Sequence, residues 1–119
     1  MTSKGFVNIW LPAVTFVFCV ITAAAAYAAE VKVSTVMAHY ILGSFYEKTG
    51  EVDKAIIEYG KALKQDNKNA QIRVSLGTAY LKKSNIPKAS EELNLASKLD
   101  PEAVEPHAIL ALLYFSQEN

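Results

Sequence analysis

The sequence predicts an all-α fold: a helix-turn-helix repeat solenoid preceded by an N-terminal hydrophobic export helix. Three observations carry that prediction. A short pattern returns at a fixed interval, apolar residues recur at steps of three and four, and the N-terminal region from Gly5 to Ala29 holds no charged residue. The pattern is Leu42-Gly43-x-x-Tyr46 followed by Ala55, and it returns thirty-four residues later as Leu76-Gly77-x-x-Tyr80 followed by Ala89. The same offset pairs Lys48 with Lys82, Lys54 with Lys88, Glu58 with Glu92, Ala62 with Ala96, Lys64 with Lys98 and Asp66 with Asp100. A third copy begins at Val104 and places Leu110, Ala111 and Tyr114 in the matching slots. The units are residues 36–69, 70–103 and a partial third over 104–119.

Each unit reads as two helices. From Val36 to Lys48 the residues Val36, His39, Tyr40, Leu42, Gly43 and Tyr46 share one helical face, the spacing of a helix that buries a stripe. Gly50 breaks the run, and a second run from Val52 to Lys64 gathers Ala55, Ile56, Tyr59, Ala62 and Leu63 on one side. Small residues at Gly43, Ala55 and Ala62 let two backbones approach, with Leu42, Tyr46 and Tyr59 filling the remaining space. A pair built this way keeps one apolar face that only the next pair can bury, so the chain stacks instead of closing round a single core. In the second unit the turn is Lys83-Ser84-Asn85-Ile86-Pro87. There Asn85 suits an N-cap and Pro87 a first helical turn, where a missing N–H costs nothing. Pro106 marks a helix start in the same way.

This period and spacing resemble the tetratricopeptide repeat, whose pattern is W-x-x-L-G-x-x-Y, then A-x-x-x-F, then P. The resemblance implies repeat-packing roles for Leu42, Gly43, Tyr46, Ala55, Leu76, Gly77, Tyr80, Ala89, Leu110 and Tyr114. It also implies a concave groove lined by the first helices, through the second, fifth, ninth, twelfth and thirteenth positions of each repeat. Carried over by residue, the first unit would supply Met37, Tyr40, Ser44, Glu47 and Lys48. The second would supply Gln71, Val74, Thr78, Leu81 and Lys82, and the third Glu105, Ala108, Leu112, Phe115 and Ser116. Tyr40, Val74, Leu81, Leu112 and Phe115 would then form an apolar floor edged by Lys48 and Lys82, suited to an apolar or amphipathic peptide. The alternative role for Tyr40, Val74 and Leu81 is packing within the repeats. Chaperone-tail-binding members of the family clamp a terminal carboxylate with asparagine and basic residues. Tyr40, Ser44, Ser75, Glu105 and Ile109 stand at those positions here, so that clamp is not expected.

Lys4 precedes the charge-free region, whose most apolar part is Ile9 to Ile21 and whose end is Ala23-Ala24-Ala25-Ala26-Tyr27-Ala28-Ala29. A lone positive charge, an apolar run and small residues at an A-x-A site read as a secretory signal peptide over residues 1–28. Ala26-Tyr27-Ala28 is the best cleavage triplet, and Pro12 argues against a spanning helix. The alternative is an uncleaved membrane anchor, since roughly 20 apolar residues span a bilayer. The product is accordingly expected to be periplasmic or secreted, or membrane-anchored if the segment stays. Cys19 lies inside it, so no disulfide is expected in the rest of the chain. Residues 29–35, rich in β-branched side chains, read as a linker.

Twelve basic residues balance twelve acidic ones, and they alternate along the chain as a solvated face does. Without a basic stripe, nucleic-acid binding is not expected, and the membrane is expected to be met only through the N-terminal segment. His39 and His107 are the only histidines; both occupy the tryptophan slot of the repeat, with Arg73 in the same slot between them, which points to packing. No second histidine lies at i+4, Glu91-Glu92 diverge on a helix, and Gly43, Gly50, Gly60 and Gly77 form no phosphate loop. The sequence therefore predicts no enzyme, metal or cofactor. It predicts an exported or tethered scaffold for a protein or peptide partner. The alternative is an assembly piece, the front part of a longer solenoid without a ligand of its own. The uncharged run Ala108-Ile109-Leu110-Ala111-Leu112-Leu113-Tyr114-Phe115 further predicts self-association through the C-terminal helix, with Leu110 and Tyr114 packed back on the second unit and Ile109, Leu113 and Phe115 facing outward.

Overall fold

Those periodicities become five helices in a computed structural model that describes residues 3–118. They are α1 (Ser3–Lys48), α2 (Val52–Gln65), α3 (Ala70–Lys82), α4 (Ile86–Leu99) and α5 (Val104–Glu118). Side chains are described from Trp10 onward, so the expectations placed on Lys4 and Ile9 lie outside the described residues. The chain divides into two compact units, Met1–Ser34 and Thr35–Asn119.

In the first unit the backbone is helical through Pro12. Trp10, Leu11, Val14, Phe16, Val17 and Phe18 are all exposed. The hydroxyl of Thr15 donates to Leu11 O and Pro12 O at 3.0 Å each, and that of Thr22 to Cys19 O at 2.9 Å. These hydroxyls are thereby satisfied within the helix. The stretch read as a linker, residues 29–35, is helical as well. The penalty for Val31, Val33 and Thr35 in a helix is only a few tenths of a kcal/mol each, too little to break a helix that continues on both sides.

The second unit is a stack in which α2 packs on α3, α3 on α4 and α4 on α5. Its turns repeat with its helices. Gly50 and Ser84, thirty-four residues apart, both adopt positive φ, +83° and +56°. After each, the next amide reaches back to the same slot, Glu51 N to Tyr46 O at 2.8 Å and Asn85 N to Tyr80 O at 2.9 Å. Both helices that follow an asparagine are capped by it: Asn69 Oδ1 accepts from Ile72 N at 3.2 Å and Asn85 Oδ1 from Lys88 N at 3.3 Å. Such a cap contributes about 1 kcal/mol, and Asn69 supplies the start of α3 where no proline is present.

Two apolar clusters hold the stack. One joins Ala55, Tyr59, Ala62 and Leu63 of α2 to Ile72, Leu76 and Ala79 of α3. The other joins Val74 of α3 and Leu93 and Ala96 of α4 to Leu110 and Leu113 of α5. The glycines mark the closest approaches within each pair: a Cβ on Gly43 would stand 2.6 Å from the Tyr59 ring, and one on Gly77 would stand 2.9 Å from Leu93 Cγ.

Three expectations about packing need correction. Leu42 is 44% exposed, whereas Leu76 and Leu110 in the same slot are 5% and 6% exposed. That slot packs on the second helix of the preceding pair, and nothing in the repeat unit precedes the first. Leu113 belongs to the second cluster instead of facing outward, with Ile109 packed against it. Tyr114, expected to pack back, is 52% exposed; its slot faces the second helix of its own pair, and only the first helix of the third pair is present.

Candidate functional site

The groove positions fall into three groups. Met37, Lys48, Gln71, Lys82, Glu105, Ala108, Leu112, Phe115 and Ser116 are exposed, and Tyr40, Ser44, Glu47, Thr78 and Leu81 are half-buried. Val74 is only 4% exposed and belongs to the second cluster with Leu93, Ala96, Leu110 and Leu113. Val74 is therefore core. Leu81 packs on the same cluster from its edge, and Tyr40 packs on the first cluster. Both serve the stack while keeping part of their surface open.

Met37, Tyr40 and Gln71 come together. With Val36, Asn69 and Ile72 they line a mostly apolar pocket of about 190 Å³ between the Thr35–Lys48 part of α1 and the start of α3. Asn69 reaches the rim because it caps α3, and no repeat-based reading of the sequence singles it out.

Glu47 links Tyr59 of α2 to Lys82 of α3. It accepts a 2.7 Å hydrogen bond from the Tyr59 hydroxyl through Oε2 and a 2.7 Å ion pair from Lys82 Nζ through Oε1. Tyr59 in turn lies 5.9 Å from Tyr40, ring centre to ring centre. Burial first, and the Glu47 carboxylate second, push the Tyr59 phenol well above its ordinary range, so it stays a neutral donor. Lys82 is thus already matched by a carboxylate. Among the positions expected to line the groove, Lys48 and Glu105 are exposed.

The histidine slot resolves into a clasp between paired helices. His39 Nδ1 lies 2.7 Å from Glu58 Oε2, and Arg73 Nη1 donates to Glu92 Oε2 at 2.7 Å, each pair nineteen residues apart. Arg73 also donates to Asn67 O, fastening the turn before α3. Lys61 and then His39 hold the Glu58 carboxyl below its ordinary range. The sequence carried this signal, since Glu58 and Glu92 occupy one slot and His39 and Arg73 another; pairing them needed the helix geometry. A second repeated contact sets Lys54 Nζ 5.3 Å from the Tyr46 ring centre and Lys88 Nζ 5.4 Å from that of Tyr80. His107 is exposed, with Nε2 3.1 Å from Pro101 O. No group of three or more His, Cys, Asp or Glu able to hold a metal occurs among the described residues, and the histidines are engaged in polar contacts at helix pairs and turns.

Residues 43–84 match the family model of the TPR repeat. No curated protein sequence matches the chain. Among solved structures the chain is similar to the first TPR of Spaghetti (RPAP3) bound to the HSP90 peptide SRMEEVD. The TM-score is 0.67 at 23% identity, over 71% of this chain and 67% of that one. Register, paired helices and turns agree with the match over residues 43–84, and the described residues from Thr35 onward share the fold of that repeat structure, with two helix pairs and a fifth helix.

Proposed function

We propose that this chain is a protein-interaction module whose groove receives an apolar or amphipathic peptide segment and whose N-terminal helix exports it or tethers it to a membrane. The observation that carries the groove reading is that Met37 and Leu112 stay exposed and outside both apolar clusters. Exposed apolar side chains on a rigid concave face beside an apolar pocket are what peptide recognition uses. The similar structure holds an acidic peptide. Here Tyr40, Ser44, Ser75, Glu105 and Ile109 occupy the clamp positions and Glu47 already engages Lys82. That composition favours an apolar ligand over an acidic tail. Replacing Met37 and Leu112 together with Ser, both away from the two clusters, should weaken partner capture from the protein's own compartment while leaving helicity intact. Undiminished capture would place the interaction elsewhere.

The tether reading rests on α1, the one helix among the described residues long and apolar enough to cross a membrane. The alanine-rich stretch Ala23–Ala29 supports cleavage after Ala28; the exposed apolar side chains from Trp10 to Ile21 equally suit an inserted helix. Intact mass decides, since loss of the first twenty-eight residues establishes a released product and the full mass an anchor. The second reading, an assembly piece without its own ligand, draws on the open face of α5.

A further inference from the structure

The side of α1 turned away from the stack is apolar and open. Ala38, Ile41, Leu42 and Phe45 follow one another at steps of three, one and three residues, so they share one face of the helix. All four are exposed, Ile41 at 59% and Phe45 at 57%, and none belongs to either apolar cluster. The opposite side carries Val36, Tyr40 and Gly43, which meet the first cluster and its Tyr59. No chain end makes this open face. The residues before it continue α1 back to Ser3, so they do not turn round to supply the second helix of a preceding pair.

Two features select a second copy of the chain as the cover. From Val33 to Tyr46 there is no Asp, Glu, Lys or Arg, and the one histidine there, His39, is turned to Glu58. Identical faces therefore meet without like-charge repulsion, whereas a partner steered by charge finds nothing to grip. Ala38, Ile41 and Phe45 also keep the three-then-four step of a coiled-coil seam, with Leu42 beside it. Tyr46 braces the Phe45 ring edge-on, 5.9 Å between centres, so the largest knob of the seam is positioned in advance. We infer that Ala38, Ile41, Leu42 and Phe45 pair in parallel with the same residues of a second copy, so that tethered chains present their repeats two by two. The orientation rests on the tether reading, since helices inserted into one membrane from the same side run parallel. Four residues are far fewer than the roughly 20–30 a side of a stable interface. The contact is accordingly weak in solution and forms where a membrane keeps copies close.

The test uses the full chain carrying Cys19→Ser, reconstituted into phosphatidylcholine vesicles and oxidised with copper phenanthroline. Ala38→Cys and Phe45→Cys, introduced singly, should each give disulfide-linked dimers, while Lys64→Cys, exposed on α2, should not. Adding Ile41→Glu to Ala38→Cys should lower the dimer yield about tenfold, because two carboxylates then meet in an apolar seam. Helicity should stay the same, since Ile41 lies outside both clusters. Absence of dimers at both positions, or an equal yield from Lys64→Cys, overturns the proposal. So do dimers that form only when Ala38→Cys and Phe45→Cys chains are mixed, the sign of antiparallel pairing. Quenching of a fluorophore attached through Phe45→Cys by spin-labelled lipid headgroups would assign the face to the membrane surface and overturn it as well. Intact mass separates this inference from the tether reading: an anchored chain without these crosslinks sinks the pairing alone, and a chain released after Ala28 sinks both.

Discussion

Leu93 and Gly77 define the tightest contact of the second helix pair, with Leu93 Cγ 2.9 Å from the position a Cβ on Gly77 would take and Ala89 O 3.4 Å away. Gly77→Leu would drive a branched side chain into a core where Leu93 is already fully buried. It should cost about 1–3 kcal/mol, visible as a lower thermal midpoint. An unaltered midpoint would mean that α3 and α4 pair differently.

Gly50 and Ser84 share a turn slot and a left-handed backbone. Only serine pays there for its Cβ, so Ser84→Gly should stabilise by up to about 1 kcal/mol, and Gly50→Ala should destabilise by a similar amount. Chemical denaturation of both variants checks the opposite signs.

The leucine slot offers a graded test. Leu76→Ala should cost about 2–4 kcal/mol because it leaves a cavity between α2 and α3. Leu42→Ala, at a position with no preceding pair to pack on, should change stability by no more than about 0.5 kcal/mol. Equal losses at both sites would show that something covers Leu42.

Glu58 makes stability acid-sensitive. Its folded pKa lies below the ordinary 4.5 because of Lys61 and then His39, so its contribution is fully present above the ordinary carboxylate range and is lost as pH falls through the lowered folded value. Glu58→Gln should therefore flatten the decline of thermal midpoint in that acidic window. A variant whose decline matches the parent would assign the acid sensitivity to other carboxylates.

Much of this fold is written in short-range terms. The helix pairs, the Gly50 break, the Asn85 cap and the start at Val104 follow from period, turn chemistry and the thirty-four-residue offset. What escaped depends on neighbours. Leu42, Leu76 and Leu110 are the same letter in the same slot, yet their burial follows from whether a second helix lies behind them. Leu113 and Tyr114 exchanged expected roles for that reason, and Val74 is buried in the cluster it shares with residues of α4 and α5. Residues 29–35 read as a linker by composition, but local preference loses to the helix on either side. At the candidate site, Met37, Tyr40 and Gln71 were within reach of the repeat register; Asn69 was not, since its place at the pocket comes from its capping role.

The position of α5 at one end of the stack has a consequence for how the molecule comes apart. It rests on α4 through Leu110 and Leu113, with Val74 reaching it from α3, and it offers its other face to water. In a one-dimensional stack, opening free energy rises with the number of neighbours a helix has. Amide protons of α5 should therefore exchange with deuterium ahead of those in α3 and α4, so that loss of protection spreads through the helices one neighbour at a time rather than in one step.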